Sequence, residues 1–113
     1  MKTVRIGVAS RAEVSARVKA AFRGHKQGSH ISFPSLELLH RVLTPNRWQV
    51  LQTMMGAGPI GVRELSRRVD RDVKSVHLDT QALLNAGVID RTDDGKIVFP
   101  YDAVHVDFVV NAA

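Results

Sequence analysis

Residues 56–99 constrain the fold of this chain more than any other segment. Two stretches with the apolar spacing of amphipathic helices, residues 62–69 and 73–86, are separated only by the charged residues 70–72. Two short apolar stretches then flank residues 93–95, which contain Asp-Gly, the strongest short-range signal for a β-hairpin. Two helices joined by a tight turn and followed at once by a hairpin are the layout of a winged helix-turn-helix. Such a unit offers its second helix to a major groove and its hairpin to the flanking backbone.

The composition limits the chain to a small folded protein. Its 113 residues make one domain with an appended element, and 44% hydrophobic residues suffice for a modest core. No apolar run is long enough to span a bilayer, and the N-terminus has neither the apolar region nor the cleavage site of a signal peptide. The lack of cysteine excludes disulfides and thiolate metal sites. We therefore expect a cytoplasmic protein with no membrane partner.

Positive charge is concentrated in part of the chain. The net charge is +5. Residues 1–30 contribute +6 and residues 41–78 contribute +4, whereas residues 31–40 contribute −1 and residues 79–113 contribute −4. A basic N-terminal part and a basic pair of helices beside an acidic C-terminal part predict that a polyanion is attracted to one face only.

The N-terminal residues predict a strand followed by a helix. Residues 2–9 alternate between apolar and polar side chains, as a strand does, and Ser10 and Glu13 have the spacing of a capping box. Residues 25–32 are polar and predict a loop or linker, which is the best candidate boundary. It divides the chain into a strand–helix element for dimerisation or partner binding, residues 1–30, and a winged helix-turn-helix with a C-terminal strand, residues 31–113. The apolar stripe of the N-terminal helix consists of Val14, Val18, Ala21 and Phe22.

Capping residues predict where the later helices begin. Ser35 starts a short helix, and Thr44, followed by proline at the first helical position, starts another. Gly61 occupies the next N-cap position, where a hydroxyl would cap better, and Asp70 or Asp72 caps the second helix of the pair. The buried stripe predicted for that second helix consists of Val73, Val76, Thr80, Leu83 and Leu84.

The C-terminal residues predict a further strand. Apolar and polar side chains alternate from Ala103 to Val110. Neither this strand nor the N-terminal one has a partner within the hairpin, so we expect them to pair with each other, within one chain or across a dimer. His105 and Asp107 have a spacing that could ligate a metal ion, but two ligands without a third are more often exposed polar side chains of a strand. We therefore expect no metal and no cofactor.

The residues that we expect to contact double-stranded DNA lie outside the buried stripes. The second helix would present side chains to base edges, while the first helix and the hairpin tip would contact phosphates. Phosphate contacts set register and affinity, and base contacts set sequence choice. The candidates for base edges are Lys74, Ser75, His77, Leu78 and Gln81; those for phosphates are Arg63, Arg67, Arg68, Arg91 and Lys96; and Arg71, at the turn, could reach either.

These candidates have plainer interpretations. The arginines of the first helix could be a solvated face, and Lys74 and Ser75 could be ordinary surface residues. Trp48 is better explained by core or dimer packing than as a stacking platform. The acids Asp70, Asp72 and Asp79, which we expect to be exposed, count against a uniformly adhesive surface. Catalysis is disfavoured because the chain has no phosphate-binding glycine loop, no HExxH, no cysteine and no nucleophile elbow.

Four motifs of the chain occur together: Leu43-Thr44-Pro45-Asn46-Arg47-Trp48, Arg71-Asp72-Val73-Lys74-Ser75-Val76-His77, Leu83-Leu84-Asn85-Ala86-Gly87 and Val98-Phe99-Pro100-Tyr101-Asp102. Together they resemble a family of small bacterial and archaeal winged helix-turn-helix proteins, described as DNA-binding proteins or predicted transcriptional regulators. The similarity spans residues 33–108 and extends to the N-terminal strand and helix. It implies a DNA-binding repressor, and also an antitoxin, because the family is often encoded beside a toxin. More distantly, the helix pair is similar to that of MarR- and ArsR-type repressors, which dimerise on near-palindromic operators.

The sequence therefore predicts an α+β protein: a winged helix-turn-helix with an added N-terminal strand–helix element and a C-terminal strand. We expect a homodimeric, sequence-specific repressor that regulates its own transcription. The alternative is an antitoxin whose main role is to bind and neutralise a cognate toxin protein, with DNA binding secondary. RNA binding is the weakest alternative, because six aromatic residues at mostly core-like positions leave no stacking surface.

Overall fold

The computed structural model describes residues 1–24 and 28–113. The described residues combine five helices with two small sheets, so the fold is α+β. None of these helices is long and apolar enough to cross a membrane. The elements are β1 Thr3–Val8, α1 Arg11–Phe22, β2 Ser29–Phe33, α2 Leu36–Val42, α3 Pro45–Met54, α4 Val62–Val69, α5 Val73–Asn85, β3 Asp90–Arg91, β4 Ile97–Val98 and β5 Ala103–Asp107.

The two ends of the chain meet in one parallel sheet with the strand order β2-β1-β5. β1 aligns Val4 with Ser29 on one side and with Val104 on the other. The expectation that the N- and C-terminal strands pair is confirmed, and they pair within one chain. Because β1 and β2 are parallel, α1 serves as the crossover connection that parallel neighbours require.

The prediction of a loop over residues 25–32 is wrong for its second half. Residues 29–33 form β2, while residues 25–27 lie outside the described residues. Ile31 and Phe33 alternate with polar neighbours and join the core, a short period-two pattern that is easily missed beside Gly28. The division predicted at residue 30 therefore passes through a strand of the shared sheet.

The capping residues start the helices as predicted. The side chains of Ser10, Ser35, Thr44 and Asp72 each accept a hydrogen bond from the backbone N–H three residues on. Asp72, not Asp70, caps α5. Gly61 begins α4 without a side-chain cap.

The apolar stripe of α1 faces solvent, although such a stripe usually faces a core. No residue of α1, which the structure describes in full, is buried, and Phe22 is 88% exposed. The reason is the chemistry of the sheet surface below: it carries polar residues such as Arg5 and His30, and Arg17 turns toward it to donate a hydrogen bond of 2.8 Å to Ser32 Oγ. On α5, Val73 is likewise exposed, because the stripe is centred on Val76, Thr80 and Leu83.

The core lies between the other surface of the sheet and helices α2–α5. Val4, Ile6 and Phe33 face it from the sheet. The segment before α4 extends the hairpin, because Ile60 and Ile97 exchange backbone hydrogen bonds of 2.8 and 3.0 Å. Residues 93–95 form the predicted turn, although β3 and β4 are shorter than the predicted strands. The helices contribute the buried side chains of Leu39, Val50, Leu51, Met54, Leu65, Val69, Val76 and Leu83.

Candidate nucleic-acid interface

The exposed face of α5 carries most of the residues predicted to reach base edges. Lys74, His77 and Leu78 are exposed, Leu78 by 63%, and Gln81 is half-buried. These positions lie opposite the buried stripe, since residues three and four apart share a helix face. Asn85, which the sequence reasoning did not single out, is exposed at the end of the same face.

The turn before α5 is held by its own side chains. Asp70 adopts a left-handed conformation with φ of 56°, which ends α4. Asp72 Oδ2 accepts the backbone N–H of Ser75 at 2.9 Å, and hydrogen bonds from the Ser75 backbone and side chain lower the pKa of Asp72. Ser75, which was predicted to reach a base edge, is half-buried at the start of α5, where its backbone N–H is bound by the Asp72 cap.

Arg71 and Asp79 form a network that the sequence reasoning missed. Arg71 Nη2 donates to Asp79 Oδ2 at 2.8 Å, and Arg47 Nε donates to Asp79 Oδ1 at 3.1 Å. Asp79 is only 13% exposed, so the expectation that it is an exposed acid is wrong. Arg47 also donates to the carbonyl oxygen of Val42 at 3.0 Å, which ties the end of α2 to α5.

The same network fixes the position of Arg71, which was expected to reach a base or a phosphate. Its side chain is 21% exposed, and Nη1 is buried with no hydrogen-bond partner among the described residues. The Arg71 carbonyl oxygen accepts a hydrogen bond from Ser66 Oγ on α4. The structure therefore places Arg71 inside the joint between the two helices. No local pattern indicates this network, because Arg47 and Asp79 are 32 residues apart.

The three arginines of α4 are exposed, as expected, but two of them are paired. Arg67 and Arg68 both donate to Glu64, with Nε–Oε distances of 3.1 and 3.2 Å. These hydrogen bonds, chiefly that from Arg67, lower the pKa of Glu64. Arg63 is exposed, and no carboxylate among the described residues forms an ion pair with it. The exposed face of α4 therefore has a net charge of about +2, because Glu64 neutralises part of the charge of its three arginines.

The hairpin exposes both of its predicted cations, Arg91 and Lys96, beside three exposed aspartates. Thr92 holds the tip: its backbone N–H donates to the Lys96 carbonyl oxygen at 2.8 Å, and its hydroxyl donates to Asp94. That hydroxyl hydrogen bond lowers the pKa of Asp94. The hairpin tip is therefore closed by hydrogen bonds, and its two cations and three aspartates give it a net charge of −1, in contrast to the positive face of α4.

A separate cavity of about 570 Å³ lies at the polar side of the sheet. Two guanidinium groups, Arg5 and Arg17, and two carboxylates, Glu13 and Asp107, line it, so its charges balance. Burial, together with Arg17 and Arg5, lowers the pKa of His30 at its wall. Asp107 Oδ2 accepts from Arg5 Nη1 at 3.1 Å and lies 3.9 Å from His105 Nε2. No group of three metal-ligating side chains occurs in the described residues.

Comparison with known protein families matches residues 42–106 to the family described as HVO_A0114. The matched segment runs from the end of α2 through α5 and the hairpin to the penultimate residue of β5, which is more than half of the chain. Comparisons with curated proteins and with solved structures give no match.

Proposed function

We propose that this chain, which belongs to the HVO_A0114 family, is a winged helix-turn-helix protein that binds double-stranded DNA and represses its own transcription. The layout supports the proposal. α4 and α5 are joined by three residues, and the β3–β4 hairpin follows α5 after four. α5 has 13 residues, so it is about 20 Å long, which is enough to lie in a major groove.

One observation carries the proposal: no carboxylate lies on the exposed face of α5, a helix that the structure describes in full. The only acid within α5, Asp79, is turned against Arg47 and Arg71. The Asp72 carboxylate, at the N-cap, accepts a hydrogen bond from the backbone N–H of Ser75. The face that would approach DNA therefore lacks the negative charge that would repel phosphates.

The side chains divide into three roles under this proposal. Lys74 and Gln81 have donors for base edges, where lysine suits guanine and glutamine suits adenine, and Leu78 can contact a thymine methyl group. Arg71 and Asp79 set the angle between α4 and α5 and do not contact DNA. The phosphate contacts come from Arg63, Arg67 and Arg68 on α4 and from Arg91 and Lys96 on the hairpin.

Repression would work by occlusion of a promoter, which places the protein in the cytoplasm with the DNA. Two copies would bind a near-palindromic site with their α5 helices roughly 34 Å apart, one turn of DNA. No cofactor is needed for this mechanism.

The test is fluorescence-anisotropy titration of the full chain with DNA from upstream of its own gene and with an unrelated duplex. Each is measured at roughly 50 and 200 mM salt, because phosphate contacts weaken steeply over that range. We expect preferential binding to the upstream DNA that survives the higher salt. Equal binding to both duplexes, abolished at the higher salt, would reduce the interaction to general attraction of a polyanion.

A second candidate function is the neutralisation of a toxin protein, with DNA binding secondary. The exposed stripe of Val14, Val18 and Phe22 favours it, since apolar side chains aligned on one helix face suit a protein partner. Removal of residues 1–30 would not test this idea, because β1 is the central strand of the sheet. A triple serine substitution of the stripe is sharper: it should abolish protection against a toxin encoded beside this gene while DNA binding is retained. Full protection by that variant would exclude the stripe as the toxin-binding surface.

A further inference from the structure

β5 is an edge strand of its sheet, and its outer edge is open to pairing with another strand. Among the described residues, only β1 pairs with β5, so the opposite edge presents unpaired backbone groups. The chain continues beyond β5 with further apolar residues, of which Val109 is 81% exposed. A free edge with exposed apolar side chains pairs readily with another strand. The exposed apolar residues of this edge are Val106, Phe108, Val109 and Val110.

An apolar groove lies along the same edge. It has a volume of about 340 Å³ and is lined by Trp48, Gln52, Met55, Val104 and Val106. Val104 and Val106 face it from β5, whereas His105 and Asp107 lie on the opposite surface of the strand. Trp48 and Met55 are only partly buried. The edge therefore combines free hydrogen-bonding groups with an open apolar surface beside them.

We infer that the partner is a second copy of this chain, joined by antiparallel pairing of the two β5 strands about Val106. In that register Val106 meets its own copy, His105 lies opposite Asp107, and Val104 lies opposite Phe108. Hydrogen-bonded polar pairs and apolar pairs across two strands stabilise a sheet, and an imidazole can donate a hydrogen bond to a carboxylate. Asp107 already accepts a hydrogen bond from Arg5, so Arg5, Asp107 and the partner's His105 form one polar row.

Neighbouring registers are less favourable. Pairing about Asp107 would place two aspartates opposite each other, which is repulsive, and pairing about His105 would place Asp107 opposite Ala103. The register about Val106 also brings the partner's Phe108 beside Val104, at the apolar groove that Val104 lines. The result is a continuous six-stranded sheet in the order β2-β1-β5-β5-β1-β2.

This inference rests on the proposed function only in that a two-fold pair suits a near-palindromic site. The interface is tested without DNA, so its failure and the failure of DNA binding are distinguishable. If the chain forms this dimer but does not bind DNA, the proposed interface stands and the proposed function fails. If the chain is a monomer that binds DNA, the proposed function stands and the proposed interface fails.

The first experiment is site-specific crosslinking in a chain that has no cysteine of its own. Val106→Cys places two thiols at the two-fold axis, where paired Cβ atoms are about 5 Å apart. Val109→Cys is the matched control: it is more exposed, but its copy would lie six residues away along the paired strands, roughly 20 Å. With a short bismaleimide reagent we expect at least tenfold more crosslinked dimer for Val106→Cys. Equal or greater crosslinking of Val109→Cys would overturn the register.

The second experiment measures association of the full chain by sedimentation equilibrium. We expect a dimer for the unaltered chain, and monomers for Val106→Lys and for Val106→Glu, because each introduces like charges at the two-fold axis. An equimolar mixture of the two variants should re-form a dimer, which also shows that both are folded. An unaltered chain that is monomeric at every concentration, or single variants that remain dimeric, would overturn the proposal. So would a mixture that stays monomeric although both variants keep the circular dichroism of the unaltered chain.

Discussion

Arg71 and Asp79 form an ion pair of 2.8 Å between the turn that precedes α5 and the middle of that helix. Arg47, on α3, donates to the other carboxylate oxygen of Asp79 at 3.1 Å and also to a carbonyl oxygen at the end of α2. The single carboxylate of Asp79 therefore links α5 to the turn before it, to α3 and, through Arg47, to α2. The network has two consequences. It fixes how α5 projects from the core, and it removes the only acid within α5 from the face proposed to meet DNA.

Asp79→Asn should destabilise the protein by about 2 kcal/mol, a value between those for exposed and for fully buried ion pairs. The substitution keeps the size of the side chain but leaves two poorly solvated guanidinium groups without their carboxylate. Urea unfolding followed by circular dichroism measures the change. Glu37→Gln is the matched control, because it removes the carboxylate of the exposed pair with Arg41 and should cost less than about 0.5 kcal/mol. Equal costs for the two variants would show that the network around Asp79 contributes no more than a surface pair.

Gly7→Ala should weaken the contact between β1 and β5. A Cβ at Gly7 would lie 2.3 Å from the carbonyl oxygen of Asp107, so the strands must separate. We expect a loss of about 1–3 kcal/mol in unfolding free energy, as for other overpacked positions. Gly61→Ser, at an open position that can use a hydroxyl cap, should leave stability unchanged or slightly raised. A Gly7→Ala variant as stable as the unaltered chain would contradict the close approach.

Glu64→Gln should strengthen DNA binding. It releases Arg67 and Arg68 from their shared carboxylate and removes a negative charge from the proposed phosphate-contacting face. We expect a several-fold higher affinity and a plot of log K against log salt that is steeper by about one unit for each new phosphate contact. Glu37→Gln, with the same change of charge on α2, should have little effect. If both variants gain equally, net charge rather than the α4 face governs binding.

Acid should destabilise the protein through two hydrogen-bonded carboxylates, the N-cap Asp72 and the arginine-paired Glu64. The pKa of Asp72 and that of Glu64 are lowered in the folded state by hydrogen bonds. The unfolded chain therefore takes up protons first as the pH falls, and the stabilisation present at neutral pH is lost from about pH 4 downward. Asp72→Asn keeps an equally good N-cap that cannot titrate, so its urea midpoint should fall less between pH 6 and pH 3. An unchanged pH dependence in this variant would contradict the role of Asp72.

Local signals predicted much of the fold because caps and turns act over a few residues. Ser10, Ser35, Thr44 and Asp72 start their helices as predicted, and residues 93–95 form the turn. The pairing of β1 with β5 was also predictable, because each strand alternates and neither has a partner in the hairpin.

Other long-range relations were not predictable from spacing alone. Periodicity identified the apolar stripe that includes Val14 and Val18 but not whether it faces the core or solvent. That depends on the polar surface of the sheet beside α1, and this sheet includes β2, which was not predicted. The charge of Arg71 was evident, but its partner Asp79 and the second arginine, Arg47, come together only through the packing of α3 against α5. A residue's chemical type therefore indicated a candidate contact, and the fold decided which partner it found.

The most direct test compares two variants that lose the same charge and the same amide. Lys74→Ala/Gln81→Ala alters the exposed face of α5, and Lys19→Ala/Gln49→Ala alters exposed positions of α1 and α3. Binding to DNA from upstream of the gene is measured by fluorescence anisotropy at one salt concentration. If α5 reads the DNA, the α5 variant loses at least about tenfold more affinity than the control, since base contacts contribute beyond charge. Equal losses in the two variants would contradict the assignment of α5 as the DNA-reading helix.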